Sequence, residues 1–240
     1  MVKNSHRGVS MKPSKIRKKL KHLIFILRRE DKYKLRRLFW RAYINFLQLF
    51  SPILSNRGID IMKERWDYLI ILDACRYDTF KKVNDIQGKL EKKISKASNT
   101  VEWIEKNFKE YYGDVVYISS NAYISNHKVM GWRGSDHFFK VENVWDYGWD
   151  HELETVPPKE VTKAALIARK KYPNKRMIIH YVQPHGPWIG KTRLTIKEIG
   201  DRSKNAKGYF WDQVKFGKLK PEKLKKAYVD NLRLVLGEVK

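Results

Sequence analysis

Three short runs in this chain hold side chains suited to ester chemistry. Trp66 to Asp78 reads Trp-Asp-Tyr-Leu-Ile-Ile-Leu-Asp-Ala-Cys-Arg-Tyr-Asp. Its apolar part, Tyr68 to Leu72, has the length and β-branched content of a buried parallel strand, and it ends on the carboxylate of Asp73. Ligands of open α/β sheets sit at the carboxyl ends of strands, so Asp73 is placed to hold a metal ion or a reacting group. The plainer alternative is that it caps the helix beginning near Arg76. The second run is Ser98-Asn99-Thr100-Val101-Glu102, in which Asn99 and Glu102 have the spacing of a capping pair. A hydroxyl opening a helix lies among unpaired N–H groups at the positive end of the dipole. Thr100, or alternatively Ser98, is therefore a candidate nucleophile if a metal assists its deprotonation. The plainer reading of this run is a helix cap and no more.

The third run is Ile178-Ile179-His180-Tyr181-Val182-Gln183-Pro184-His185-Gly186-Pro187-Trp188. A strand here delivers Gln183 and His185 at its carboxyl end, where the prolines and Gly186 restrict the backbone. A histidine so held suits metal binding or donation to an ester oxygen. His180 lies within the strand and reads as a core residue or one that supports the site from behind.

The elements that must position these groups alternate along the chain. Strands are expected at Tyr68–Leu72, Val115–Ser119, Phe138–Val144 and Arg176–Val182, with a short extended piece near Leu90–Ser95. Helices are expected around Asp78–Val83, from Thr100 to about Tyr111, over Lys159–Lys171 behind Pro157-Pro158, and from Pro221 to the C-terminus. This order predicts an α/β domain over residues 59–240 with a mostly parallel sheet flanked by helices. Gly186 to Lys220 is long, polar and strand-poor, and following a strand end it is expected to act as a lid.

Residues 1–58 differ in kind. Met1 to Arg37 carries fourteen Lys or Arg against Glu30 and Asp31, about half of the net charge of +25. Lys15 to about Leu54 reads as amphipathic helix, with Leu38, Phe46 and Ile53 recurring at helical spacing. Such a basic arm suits an anionic membrane surface, or packing on the chain's own domain; nucleic acid is disfavoured, because none of its usual motifs occurs. No apolar run reaches the ~18 to 20 residues of a membrane span, and the pattern of a cleavable signal is missing. Hydrophobic content of 42% with 13% aromatics excludes wholesale disorder, and the single cysteine, Cys75, excludes an internal disulfide and fits a reducing compartment. The expected location is cytoplasmic, with peripheral contact at the inner membrane face through the arm.

Four motifs in order resemble the alkaline phosphatase/sulfatase superfamily, especially its archaeal sulfatase-like members. These are Leu72-Asp73-Ala74-Cys75-Arg76-Tyr77-Asp78 after an apolar strand, Ser98-Asn99-Thr100-Val101-Glu102-Trp103, Gln183-Pro184-His185-Gly186-Pro187-Trp188, and Ala227-Tyr228-Val229-Asp230-Asn231-Leu232. The resemblance implies an alkaline phosphatase-like fold and a metal-assisted hydrolase, or transferase, of phosphate or sulfate esters. Asp73 would hold a divalent cation (Zn, Mn, Mg or Ca), Thr100 would attack phosphorus or sulfur, and His185 would contact the metal or the transferred group. Two departures qualify it. Cys75 is followed by Arg76, Tyr77, Asp78 and Thr79, which breaks the Cys-x-Pro/Ala-x-Arg pattern of formylglycine sulfatases and favours a threonine nucleophile. Family members also continue into a strand carrying Asp-His-Gly and then a later histidine, whereas this sequence stops at Lys240. The expectation is a C-terminally truncated domain with an incomplete metal site, either completed by a partner chain that extends the sheet or reduced to a non-catalytic, membrane-surface-associated binding protein.

Overall fold

The computed structural model describes Phe39, Ala42, Tyr43 and residues 58–194 and 219–240. The chain divides into two units, Met1–Arg57 and Gly58–Lys240, of which the second holds the sheet and its helices. Most of the expected amphipathic arm and of the expected lid lies outside the described residues; Phe39, Ala42 and Tyr43 are helical and exposed.

Four parallel strands form one sheet in the order β1-β4-β2-β3: β1 Tyr68–Leu72, β2 Tyr112–Ser119, β3 Phe138–Asn143 and β4 Arg176–Tyr181. The helices of this unit, among the described residues, are α1 Tyr77–Val83, α2 Thr100–Asn107, α3 Val144–Tyr147, α4 Pro158–Lys171 and α5 Pro221–Val239, with a 3-10 turn at Gly134–Asp136 before β3. The domain is thus α/β, as the alternating pattern requires. The path from β1 to β2 passes β4 with α2 on one face; the path from β3 back to β4 passes β2 with α4 on the other. Opposite directions on opposite faces give both crossovers the same hand, the constraint that puts helices on both sides of a parallel sheet.

Each face has its own core. Val116, Ile118, Met177, Ile179 and Tyr181 meet α3, α4 and α5. Val115, Tyr117, Ile178, Phe138 and Val141 meet Ile104 of α2 together with Phe108 and Ile124. Side chains alternate between faces along a strand, which is why the central strands read as unbroken apolar runs rather than alternating ones.

The structure corrects three expected elements. The helix expected to reach Tyr111 ends at Asn107, because Phe108 leaves helical geometry (φ −112°, ψ 80°) and turns edge-on to Phe138 and Tyr117 in the second core. Residues 90–95 form no strand; they are exposed, and Ile59 N–H donates to Ile94 O there at 2.9 Å. Strand β2 begins three residues earlier than expected, at Tyr112, where its N–H donates to His137 O at 2.7 Å.

Candidate active site

Asp73 follows β1 and carries on its alternation. Leu69 and Ile71 pack in the core on the α2 face, so Asp73 shares their side of the sheet. The β1–β4 register pairs Ile71 with His180, which sets the imidazole beside the carboxylate. His180 is 2% exposed, and its Nε2 lies 3.8 Å from Asp73 Oδ2 with no hydrogen-bond partner. On the other side of the ring, Nδ1 lies 2.9 Å from the Tyr117 hydroxyl. Burial pushes the Tyr117 phenol well above its ordinary value, so it keeps its proton. Donation of that proton to Nδ1 leaves an N–H on Nε2 facing Asp73.

Asp73 Oδ2 also accepts from Asn121 Nδ2 at 3.1 Å. Asn121 is fixed just past β2, where its N–H donates to Ser119 Oγ and its carbonyl accepts from the same hydroxyl at 2.7 Å. Burial acts to raise the Asp73 carboxyl, but His180, His185 and Asn121 outweigh it and hold it below the usual carboxylate value. Asp73 does not cap α1: Arg76 occupies the cap position, and its own side chain makes no capping hydrogen bond.

Thr100 is the first residue of α2. Asn99 is the cap, its Oδ1 accepting from Glu102 N–H at 3.0 Å while its Nδ2 donates to Glu102 Oε2 at 3.3 Å. The cap is therefore supplied by the residue before Thr100, and the threonine hydroxyl is not committed to it.

His185 stands in the loop after β4, with its N–H shared between Val182 O at 3.0 Å and Asp73 O at 3.1 Å. The two loops are thus joined directly. Its Nδ1 lies 2.7 Å from Gly186 O; a carbonyl only accepts, so Nδ1 carries the proton and Nε2 of the neutral ring is a lone-pair nitrogen.

Asp73, Thr100 and His185 line one cleft of about 810 Å³ at the carboxyl end of the sheet, together with Ser98 and His180. The two loops that carry Asp73 and His185 are clamped by α5. Tyr228 donates its hydroxyl to Ala74 O at 2.8 Å and accepts from Arg76 N–H at 2.9 Å, holding a turn in which Ala74 takes a φ of +58°. Asn231, fully buried, donates to His185 O at 3.1 Å and accepts from Ile189 N–H at 3.1 Å. Asp230 accepts from both the N–H and the hydroxyl of Thr192, at 3.1 and 2.7 Å. Gly190 lets the loop approach this closely, since a Cβ there would come within 2.6 Å of the Asp230 backbone.

The sequence pointed to Asp73, Thr100 and His185 but not to Tyr117, Asn121, Tyr228 or the clamping role of Asn231. The one signal available was parity: Asp73 and His180 each end or interrupt an apolar run, and period-two alternation lets them share a face once β1 and β4 are paired.

The residues fit a partial seat for a divalent cation. The buried, unpartnered Nε2 of His180 and the carboxylate of Asp73 are two donors facing one another, and the opposite tautomer, with Nδ1–H donating to Tyr117, would offer the cation a lone pair. Among the described residues no three His, Cys, Asp or Glu side chains converge to hold a metal by themselves. Such a seat suits an ion that takes one or two protein ligands plus substrate oxygens and water, as Mg²⁺ does, better than a closed zinc centre.

No family model, no curated protein and no solved structure matches the chain. Among the described residues no helix is long and apolar enough to cross a membrane.

Proposed function

We propose that residues 58–240 form an alkaline phosphatase-like domain acting as a metal-assisted hydrolase, or transferase, of phosphate or sulfate esters. The observation that carries this reading is the meeting of Asp73, Thr100 and His185 in one cleft at the carboxyl end of a parallel sheet, joined by the hydrogen bond from His185 N–H to Asp73 O. A divalent cation seated on Asp73, with His180 beside it, would supply charge neutralisation at the transferred group. The chain's own residues account for the rest. Thr100 presents its hydroxyl at the start of α2, where the N–H groups of the first turn favour a developing negative charge. His185, with its Nδ1 proton tied to Gly186, offers Nε2 to take a proton or to meet an ester oxygen. Tyr117 orients His180, and Asn121 orients the Asp73 carboxylate.

The test is hydrolysis of a chromogenic phosphomonoester, phosphodiester and sulfate ester with added Mg²⁺, Mn²⁺, Zn²⁺ or Ca²⁺. Thr100→Ala and Asp73→Ala are each expected to lower kcat/KM by at least about a hundredfold, the loss that follows removal of a nucleophile or its charge-stabilising partner. Unchanged rates in both variants would overturn the assignment. The two-donor seat favours one alternative, a binding protein without turnover. Silence of the folded protein on every ester with every metal would select it.

A further inference from the structure

We propose that the ester accepted by this cleft carries an apolar alcohol, alkyl or aryl, rather than a sugar. This rests on the ester-hydrolase reading and names its substrate class. The reacting end is small, since a tetrahedral phosphoryl or sulfuryl group needs only Asp73, Thr100 and their neighbours. The cleft, about 810 Å³, is of the size that encloses a whole drug-sized ligand, ~300–1,000 Å³. Much of it must therefore receive the rest of the ester.

Most of the side chains around that remaining space are apolar: Val101 and Trp103 of α2, and Tyr123 and Met130 from the connection between β2 and β3, with Ser95, Ser98 and Asn99 as the polar ones beside Thr100. Two of the apolar ones hold positions that folding alone does not favour. Met130 is 71% exposed and takes a φ of +49° in a two-residue turn, closed by Val129 N–H to Trp132 O at 2.8 Å and Trp132 N–H to Val129 O at 3.0 Å. Turns of this kind prefer Gly, Asn or Asp at positive φ. A methionine there sets an unbranched, polarisable side chain on the lip of the cleft, where it can mould to an irregular apolar partner. Tyr123 is 42% exposed, and its N–H donates to Asn121 Oδ1 at 3.0 Å. The same Asn121 donates to Asp73, so one amide fixes both the carboxylate and the start of the apolar lip. A sugar laid against Val101, Trp103 and Met130 would leave the hydroxyls on that side without protein partners, at a cost that an alkyl or aryl group does not incur.

Binding of non-hydrolysable probes tests this without turnover. The full-length protein, in constant Mn²⁺, would be titrated calorimetrically with methylphosphonate, benzylphosphonate, decylphosphonate, a glucosyl C-phosphonate and 1-decanol. Benzyl- and decylphosphonate are expected to bind roughly tenfold or more tightly than methylphosphonate, from the apolar area they remove from water. The glucosyl C-phosphonate should bind no more tightly than methylphosphonate. In the double variant Tyr123→Ser, Met130→Ser the apolar preference should fall by most of that factor while methylphosphonate binding stays unchanged. Equal affinities across the phosphonates, a preference for the sugar phosphonate, or no binding by any probe would overturn the proposal. Decanol binding as tightly as decylphosphonate would overturn it too, since the groove would then ignore the anion. Apolar discrimination that persists in a protein inert toward all esters would refute the hydrolase reading and leave the ligand class standing.

Discussion

The two walls of the cleft are built by different means. The wall bearing Asp73 and His185 is clamped from behind by polar side chains of α5: half-buried Tyr228 on the turn at Ala74, and buried Asn231 and Asp230 on the loop from His185 to Thr192. The wall that leads into Thr100 runs through residues 84–99 with no helix or strand and an exposed stretch from Asp85 to Ser95. It is tied down near its ends: Asp85 meets Lys240 at the start, and close to Thr100 Ile94 O accepts from Ile59 N–H and Lys96 meets Asp60 at 2.6 Å. A Cβ on Gly58 would come within 2.7 Å of the Lys96 backbone, so the contact is close but local. Buried, fully partnered polar groups fix a loop against every alternative that would leave one of them unpaired. An exposed segment held only near its ends has many alternatives of similar energy. The arrangement keeps the carboxylate and imidazole in fixed relation and leaves the freedom in residues 86–93, between the two ties.

The largest expected effect comes from removing the clamp. Asn231→Ala removes a fully buried side chain and leaves Ile189 N–H and the His185 carbonyl without their partner in a partly buried setting, and should cost about 2–3 kcal/mol in urea denaturation. Hydrogen exchange should localise the damage: amides of residues 185–192 lose protection while residues 84–99, already fast, do not change. A loss under about 1 kcal/mol, the size of an ordinary exposed hydrogen bond, would mean that the two walls are held with similar firmness.

Those two walls were not equally legible in the sequence. The apolar runs of β1, β2 and β4, the proline start of α4 and the Asn99–Glu102 cap follow from local pattern, and the structure has each of them. The clamp does not follow, because the motif Ala227 to Leu232 marks only a helix, and nothing local shows that Asp230 and Asn231 are buried. Their burial is created by the loop that folds over them, a contact between residues about forty apart in sequence. Tyr117 reads as one more aromatic in a buried strand; the role of its hydroxyl appears only when β2 and β4 pair and Ser119 falls opposite His180. The overlong reading of α2 has a similar origin. Ile104, Phe108 and Tyr111 have helical spacing, but Phe108 is buried against Phe138 while Tyr111 is exposed, so the core rather than the periodicity ends the helix. One turn of helix, as in α3, is too short to leave any periodic signal.

A smaller effect is expected at the turn of Asp73. Tyr228→Phe removes a hydroxyl that donates to Ala74 O and accepts from Arg76 N–H, which should cost about 1–2 kcal/mol. Burial pushes this phenol up to about 12, so the donor persists across the alkaline range, and the cost should be the same at pH 7 and pH 9 by denaturant titration. A cost that shrinks to nothing by pH 9 would show that the hydroxyl ionises early and that the turn does not depend on it.

The smallest effect belongs to the loosely tied wall and is read through acid. Burial acts to raise the Asp60 carboxyl, but the Lys96 ammonium and the Met62 N–H outweigh it, so its folded value lies below the ordinary 3.8. A carboxyl depressed by folding contributes stability that is fully present above the unfolded value and is lost as pH falls through the folded one. Asp60→Asn should therefore cost about 0.5–1 kcal/mol at pH 7, the range of a partly exposed ion pair, and progressively less as pH falls through the lowered native value and the carboxyl is neutralised. The difference between variant and native stability, measured by urea denaturation from pH 7 to pH 2, should close below about pH 4. A difference that stays constant with pH would assign the tie to packing of Lys96 against Gly58 rather than to charge, and this wall would then be held by shape, as the clamped one is held by its hydrogen bonds.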